Sequence, residues 1–241
     1  MRNVALRCVW LALLLVRAAT HSGDSFPNPE KQFSECGNSR ASRLCDPDNL
    51  LTRAEKDELI TKLRHVERDT QVPLSLHQCL KRGAQVHVFI VKRVEGGGSQ
   101  DMQRFLRDYA SSQGLQRERC NRKVIVLLSV GDRRFMFYRG RHIPTEVSTE
   151  ANRIGSAQAG HLRAGRHKTA LVNMLDDIRD LIRRVQQTTL GETARTRGLL
   201  RSEFELLKVA GWVGGNSIVT GLINAFCCKC RCCSCAVPAG G

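Results

Sequence analysis

The residues best suited to chemistry in this 241-residue chain are its eleven cysteines, and they fall into three groups. Cys8 sits in an apolar start, Cys36, Cys45, Cys79 and Cys120 are spread through the middle, and Cys227, Cys228, Cys230, Cys232, Cys233 and Cys235 crowd near the end. Four cysteines in an oxidising compartment imply two disulfides with three possible connectivities. The favoured pairs are Cys36 with Cys45, which bracket one loop ahead of a helix, and Cys79 with Cys120, which join segments flanking a strand and a helix. In the chain-entropy picture these loops contribute about 2.7 and about 4 kcal/mol. The terminal six follow an uncharged run and stand beside Lys229 and Arg231, the setting of reversible S-palmitoylation. Zinc suits them less, because their spacings overlap and no second ligand pair is set apart to close a tetrahedron.

Asp46 and Asp48 alternate as oxygen donors to a hard cation such as calcium do. No EF-hand pattern surrounds them, and Asp-Pro-Asp ahead of a helix equally makes a turn whose carboxylates accept local amides, the simpler reading. His142, His161 and His167 stand among arginines, a composition that suggests phosphate capture with a histidine as nucleophile or acid, although no motif sets their geometry. Gly96-Gly-Gly98 lacks the Lys-Ser/Thr of a nucleotide cradle, and neither a GxSxG elbow nor HExxH occurs.

The two ends of the chain set the compartment. Residues 1–20 combine Arg2 and Arg7, an apolar stretch from Cys8 to Val16 and small residues from Ala18 to Thr20, the pattern of a cleaved secretory signal. At the other end Val209 to Cys228 carries no charge, which as a helix gives a length of about 30 Å, one bilayer crossing. The sequence thus predicts a signal peptide over 1–20, an extracellular domain over 21–187, a linker over 188–205, a transmembrane helix over 206–228 and a cytoplasmic cysteine-rich tail over 229–241. With the signal cleaved the orientation is type I, and the plasma membrane is the expected location. Gly211 and Gly215 have the spacing of a close helix contact in lipid, a weak signal in a glycine-rich segment.

Net charge is +15, and losing Arg2, Arg7 and Arg17 with the signal leaves +12, so the basicity belongs to the mature chain. Secretion argues against nucleic acid as the partner. The basic residues are also scattered along helical stretches without interleaved aromatic residues for base stacking. A solvated basic surface that steers association with acidic partners is the plainer account.

The elements that must position these groups alternate. Residues 21–51 read as a loop punctuated by Pro27, Pro29, Gly37 and Pro47. Thr52 and Glu55 form a capping box, and Leu59, Ile60, Leu63 and Val66 then mark the buried side of a helix to about Arg68. Val86 to Val91 is a β-branched apolar run, hence a central strand, and Ser99 to Gln113 places Met102, Phe105, Leu106 and Tyr109 at helical spacing, closed by Gly114. Lys123 to Ser129 is a second apolar strand, turned by Gly131-Asp132 into a hairpin partner over Arg133 to Tyr138. Pro144 opens helical sequence to about Ala159, and 166–187 is a long amphipathic helix with a basic outer side. This order predicts an α/β domain with helices packed on a small mixed sheet.

The stretch Cys45-Asp-Pro-Asp-Asn-Leu-Leu-Thr52, an acidic turn leading into an amphipathic helix behind a leader and an upstream cysteine, resembles the modulator of levamisole receptor family, which has a TPM-like ectodomain. The resemblance extends through Val86 to Val91 and Val124 to Tyr138, where Gly-Asp-Arg-Arg joins two strands in a way similar to the TPM pattern, and so covers about residues 36–185. It implies a TPM-like α/β sandwich on one transmembrane helix. It further implies an auxiliary protein, without catalysis, that associates with a nicotinic-type, levamisole-sensitive acetylcholine-gated ion channel and raises its response. Other TPM-like proteins are associated with acid phosphatase activity and calcium, which makes a secreted or tethered phosphatase the alternative. Against it, Gly140 to Glu150 holds no aspartate where the TPM pattern usually has an acidic turn, and Glu146 and Glu150, four apart on a predicted helix, most simply face solvent.

Overall fold

The computed structural model describes residues 20–73, 75 and 78–188. The expected transmembrane helix over 206–228 and the cysteine tail lie outside the described residues, as do nearly all of the leader and the linker. Among the described residues no helix is long and apolar enough to cross a membrane.

Two apolar runs build the centre of the sheet. β2 (Gln85–Val91) and β3 (Lys123–Ser129) pair in parallel with Val88 opposite Val126, and all but the first residue of each is buried. Both faces of such strands must be covered, which is why they read as continuous β-branched runs rather than alternating ones. β1 (Leu44–Cys45) adds in parallel beside β2, and β4 (Arg134–Arg139) runs antiparallel beside β3, giving the order β1-β2-β3-β4. The segment expected to be loop over 21–51 therefore contributes a strand. Two residues carry no periodicity of their own, so only pairing with Val88 and Phe89 makes them one.

One face of the sheet is covered by α1 (Arg53–Asp69) and α6 (residues 167–188). Leu59, Leu63 and Val66 of α1 and Leu171, Met174, Leu175 and Ile178 of α6 are buried in one cluster with Val86, Val88, Val124 and Val126. The capping box of α1 is complete, with the Glu55 amide donating to Thr52 Oγ1 and the Thr52 amide donating to Glu55 Oε2 at 2.8 Å. The Thr52 amide and the Thr52 hydroxyl, both donating to Glu55 Oε2, hold the Glu55 carboxyl below the usual carboxylate range. Ion pairs tie α1 to α6, with Lys62 Nζ 2.6 Å from Asp176 Oδ1 and Lys168 Nζ 3.0 Å from Glu58 Oε2.

The other face is covered by α2 (Ser99–Ser112), whose Met102, Phe105, Leu106, Tyr109 and Ala110 pack with Phe26, Phe89, Val91, Ile125 and Leu127. The β2-α2-β3 connection is the parallel crossover that the sequence order predicts. Burial pushes the Tyr109 hydroxyl above its ordinary range, as its ring lies 4.8 Å from that of Phe89.

After β4 the sequence reading of one helix to about Ala159 is replaced by three short ones: α3 (Glu146–Thr149), α4 (Ala151–Ala157) and α5 (Ala159–Arg163). The breaks fall at Glu150 and Gln158. Between them Gly155 lets the backbone of α4 rest on the ring of Phe135 in β4, since an added Cβ would lie 2.0 Å from it. The compact unit that contains the sheet ends at Gln186.

Candidate functional site

In an open α/β sheet the loops beyond the carboxyl ends of the parallel strands are where a site is built. Here three segments meet that description: the turn Asp46–Asn49 after β1, the loop Lys92–Gly98 after β2 and the turn Val130–Arg133 after β3. Each is clasped by a carboxylate.

Asp46 is fully buried. Its two oxygens accept the Leu50 and Leu51 amides at 2.8 and 3.0 Å, and Lys56 Nζ lies 3.1 Å away. Lys56, 5% exposed, also donates to the Gly37 carbonyl and to Asn49 Oδ1. Asp48 serves a different pair of segments: its Oδ2 accepts the Lys92 amide at 2.6 Å and lies 3.0 Å from His21 Nε2. Asp132 Oδ2 accepts the Val94 amide at 2.9 Å and the Ser129 hydroxyl at 2.6 Å. Asp101 reaches back from the first turn of α2 to the Gly98 amide at 3.0 Å. The glycines of that loop are needed here, since Gly96 has φ +84° and a Cβ on it would lie 2.4 Å from the Asp101 carboxylate.

Asp46 and Asp48, candidates for calcium on their spacing, are thus each committed to main-chain amides and to a basic partner. That is the behaviour of turn carboxylates. Among the described residues no group of three or more His, Cys, Asp and Glu side chains converges as a metal cage.

One disulfide borders these loops, and the other joins the segments that enter β2 and β3 at the opposite end of the sheet. Cys36 pairs with Cys45 at a Cα separation of 4.4 Å, and Cys79 with Cys120 at 5.2 Å. The first staples the segment ahead of β1 onto its end, immediately before Asp46. The six terminal cysteines lie outside the described residues. The histidines that suggested phosphate capture sit on three separate elements, with His142 after β4, His161 in α5 and His167 at the start of α6. Glu146 and Glu150 are half-buried, and Glu150 is paired with Arg153.

Two cavities open beside the loops. The larger, about 190 Å³, is walled by Gly37, Asn38, Arg40, Asn49, Arg53 and Lys56 among others. Arg40 and Arg53 are exposed at its rim, Asp57 adds an acid to its wall and Lys56 is paired with the buried Asp46, so its character is polar with charges of both signs. The second, about 130 Å³, lies between His21, Gly23, Gly96, Asp101 and Arg104. The larger is formed by the Gly37–Arg40 loop, Asn49, Leu51 and the first turns of α1.

Sequence reading missed His21, Lys56 and Asp132 as members of this region. Asp132 had a signal, an aspartate just past the end of an apolar strand. Lys56 had a weaker one, a lysine on the inward side of an amphipathic helix. His21 had none, because its bond to Asp48 spans 27 residues.

Residues 21–133 match the family model described as modulator of levamisole receptor-1. The match starts and stops earlier than the resemblance over 36–185: it takes in His21 and ends in the turn before β4. Six solved chains match, among them the solution NMR structure of the N-terminal domain of a protein from P. gingivalis, at 17% identity and a TM-score of 0.50, covering 68% of this chain and 92% of that one. This shows a shared mixed α/β fold. The N-terminal domain of a protein from Corynebacterium glutamicum matches at 11% identity with a TM-score of 0.39, over 65% of this chain and 85% of that one. No curated protein matches the chain.

Proposed function

We propose, on the premise that residues 21–133 belong to the modulator of levamisole receptor-1 family, that this protein is an auxiliary subunit of a nicotinic-type, levamisole-sensitive acetylcholine-gated channel. The family match carries the reading. In it the disulfide-stapled α/β domain lies outside the cell and is held at the plasma membrane by residues 206–228, with the tail cysteines acylated on the cytoplasmic side. The domain acts by binding and without turnover. Its strand-end carboxylates are spent on loop amides, an arrangement that supports a rigid docking surface rather than a nucleophile and its base.

A bound partner shifts a channel's gating equilibrium only by its differential affinity for the open and closed forms. A tenfold shift needs about 1.4 kcal/mol of such difference, which a few charge-complementary contacts at a basic surface supply. The mature chain's charge of +12 suits an acidic receptor surface.

The test is co-expression with levamisole-sensitive receptor subunits in a cell lacking both, recording agonist-evoked current at matched surface receptor levels. The expected result is a larger response that is lost when residues 206–241 are deleted. An unchanged response with both proteins at the surface would overturn the reading. Release of phosphate from a generic ester by the purified chain at mildly acidic pH would instead favour the phosphatase alternative.

A further inference from the structure

β4 is the edge of the sheet, and among the described residues its outer side has no strand partner. Its register on β3 places Ile125 opposite Tyr138 and Leu127 opposite Met136, and the Gly140 amide donates to the Lys123 carbonyl at 2.7 Å. In an antiparallel ladder the pairs that exchange hydrogen bonds alternate with pairs that do not. Arg134, Met136 and Tyr138 therefore turn their main-chain groups toward β3, and Phe135, Phe137 and Arg139 turn theirs outward. Among the described residues none of these three makes a main-chain hydrogen bond on the outer side. Exposure agrees: Phe135 to Arg139 are all half-buried, whereas β3 is buried from its second residue on. At the opposite edge β1 offers only two residues.

The charge along this edge selects what can occupy it. Residues 133–141 contain Arg133, Arg134, Arg139 and Arg141 and no acid. Arg134 donates to Ser99 Oγ, Arg139 to the Ile143 carbonyl and Arg141 to the Glu118 carbonyl, and among the described residues none of the four is paired with a carboxylate. A second copy of this chain would set arginines against arginines across the new strand pair, which is unfavourable. An extended segment bearing Asp or Glu would complete both the hydrogen-bond row and the charge.

We propose that the outer edge of β4 is a strand-addition site for an extended acidic segment of a protein partner. Main-chain bonds to Phe135, Phe137 and Arg139 would supply affinity, and carboxylates meeting the flanking arginines would supply selectivity. The site lies beyond residues 21–133, so it stands whether or not the partner is a channel.

The probe is a labelled octapeptide of alternating Glu and Val, with Lys–Val and Thr–Val octapeptides as controls, titrated against the full chain by fluorescence anisotropy at two salt concentrations. Hydrogen exchange of residues 134–139 is followed in parallel. The Glu–Val peptide should bind and slow exchange at those residues, and the Thr–Val peptide should bind about tenfold more weakly, with the gap closing at high salt. Phe137→Pro removes the outward amide while leaving the β3 ladder bonded, and should abolish binding. If that variant does not fold, Arg134→Glu with Arg141→Glu changes only exposed side chains and should weaken binding about tenfold or more. No binding, protection elsewhere than 134–139, equal affinity for the three peptides, or unchanged affinity in the folded variants would each overturn the proposal. In that case the arginines serve only to keep copies of the edge apart.

Discussion

Lys56 places its ammonium 3.1 Å from the Asp46 carboxylate in a site where the two side chains are 7% and 0% exposed, so the first turn of α1 is locked to the turn that follows β1. The pair joins three segments, because Lys56 also bonds the Gly37 carbonyl and Asp46 also holds the Leu50 and Leu51 amides. Removing one partner of a buried pair leaves an uncompensated charge, which costs about 3–5 kcal/mol. Asp46→Asn keeps the shape of the side chain, loses its charge and turns one of its two accepting oxygens into a donor NH2. It should lower the urea midpoint accordingly, whereas Asp57→Asn on the exposed side of α1 should change it by less than about 0.5 kcal/mol.

The two disulfides should differ in worth. Cys79 and Cys120 are 41 residues apart and Cys36 and Cys45 are 9 apart. In the chain-entropy picture, replacing both cysteines of the longer loop by serine costs about 4 kcal/mol, against about 2.7 for the shorter. Thermal unfolding of the two double variants should rank them in that order. Equal midpoints would mean that native packing, not loop length, decides.

His87 should make the fold sensitive to mild acid. It is buried at 4% exposure on β2, its Nε2 has no hydrogen-bond partner among the described residues, and desolvation, with Lys123 and Arg43 nearby, pushes its pKa down to about 3. The unfolded chain takes up this proton near pH 6.5 and the folded chain near 3, so between those values the unfolded state binds more protons and stability falls as pH falls. From pH 7.5 to pH 5 the loss attributable to this residue is about 2 kcal/mol. His87→Leu should flatten the urea midpoint over that window relative to the parent. A parallel slope in the two proteins would show that other groups are responsible.

Gly96 should resist any side chain. Its φ of +84° is unfavourable for an L residue, and a Cβ would lie 2.4 Å from the Asp101 carboxylate that caps α2. Gly96→Ala should cost about 1–2 kcal/mol and raise amide exchange at Gly98 and in the first turn of α2. Gly114, where a Cβ meets nothing, serves as the comparison for conformation alone, since its φ of +64° is also positive.

The elements legible in the chain are those whose signal is local. Val86 to Val91 and Lys123 to Ser129 are strands because runs of β-branched and aliphatic residues suit a surface buried on both faces. α1 begins at Arg53 because Thr52 and Glu55 satisfy each other's amides. The parallel crossover and the β3-β4 hairpin follow from the order of these pieces, and the CDPDNLLT stretch, which carried the resemblance, falls within the residues that the family model matches.

Features that depend on residues distant in the chain appear only once it is folded. β1 exists because Leu44 and Cys45 find Val88 and Phe89, and two residues have no period of their own to announce a strand. The helix after β4 breaks at Glu150 and Gln158, and the middle piece packs Gly155 on the Phe135 ring, a contact that helical periodicity does not contain. Asp46 and Asp48, alike in sequence, part company: one faces Lys56 across a turn, the other His21 and the Lys92 amide across 27 and 44 residues. The open edge of β4 belongs to the same class. Strand propensity says that a segment is extended, but only the position of the other strands leaves its outer amides without partners.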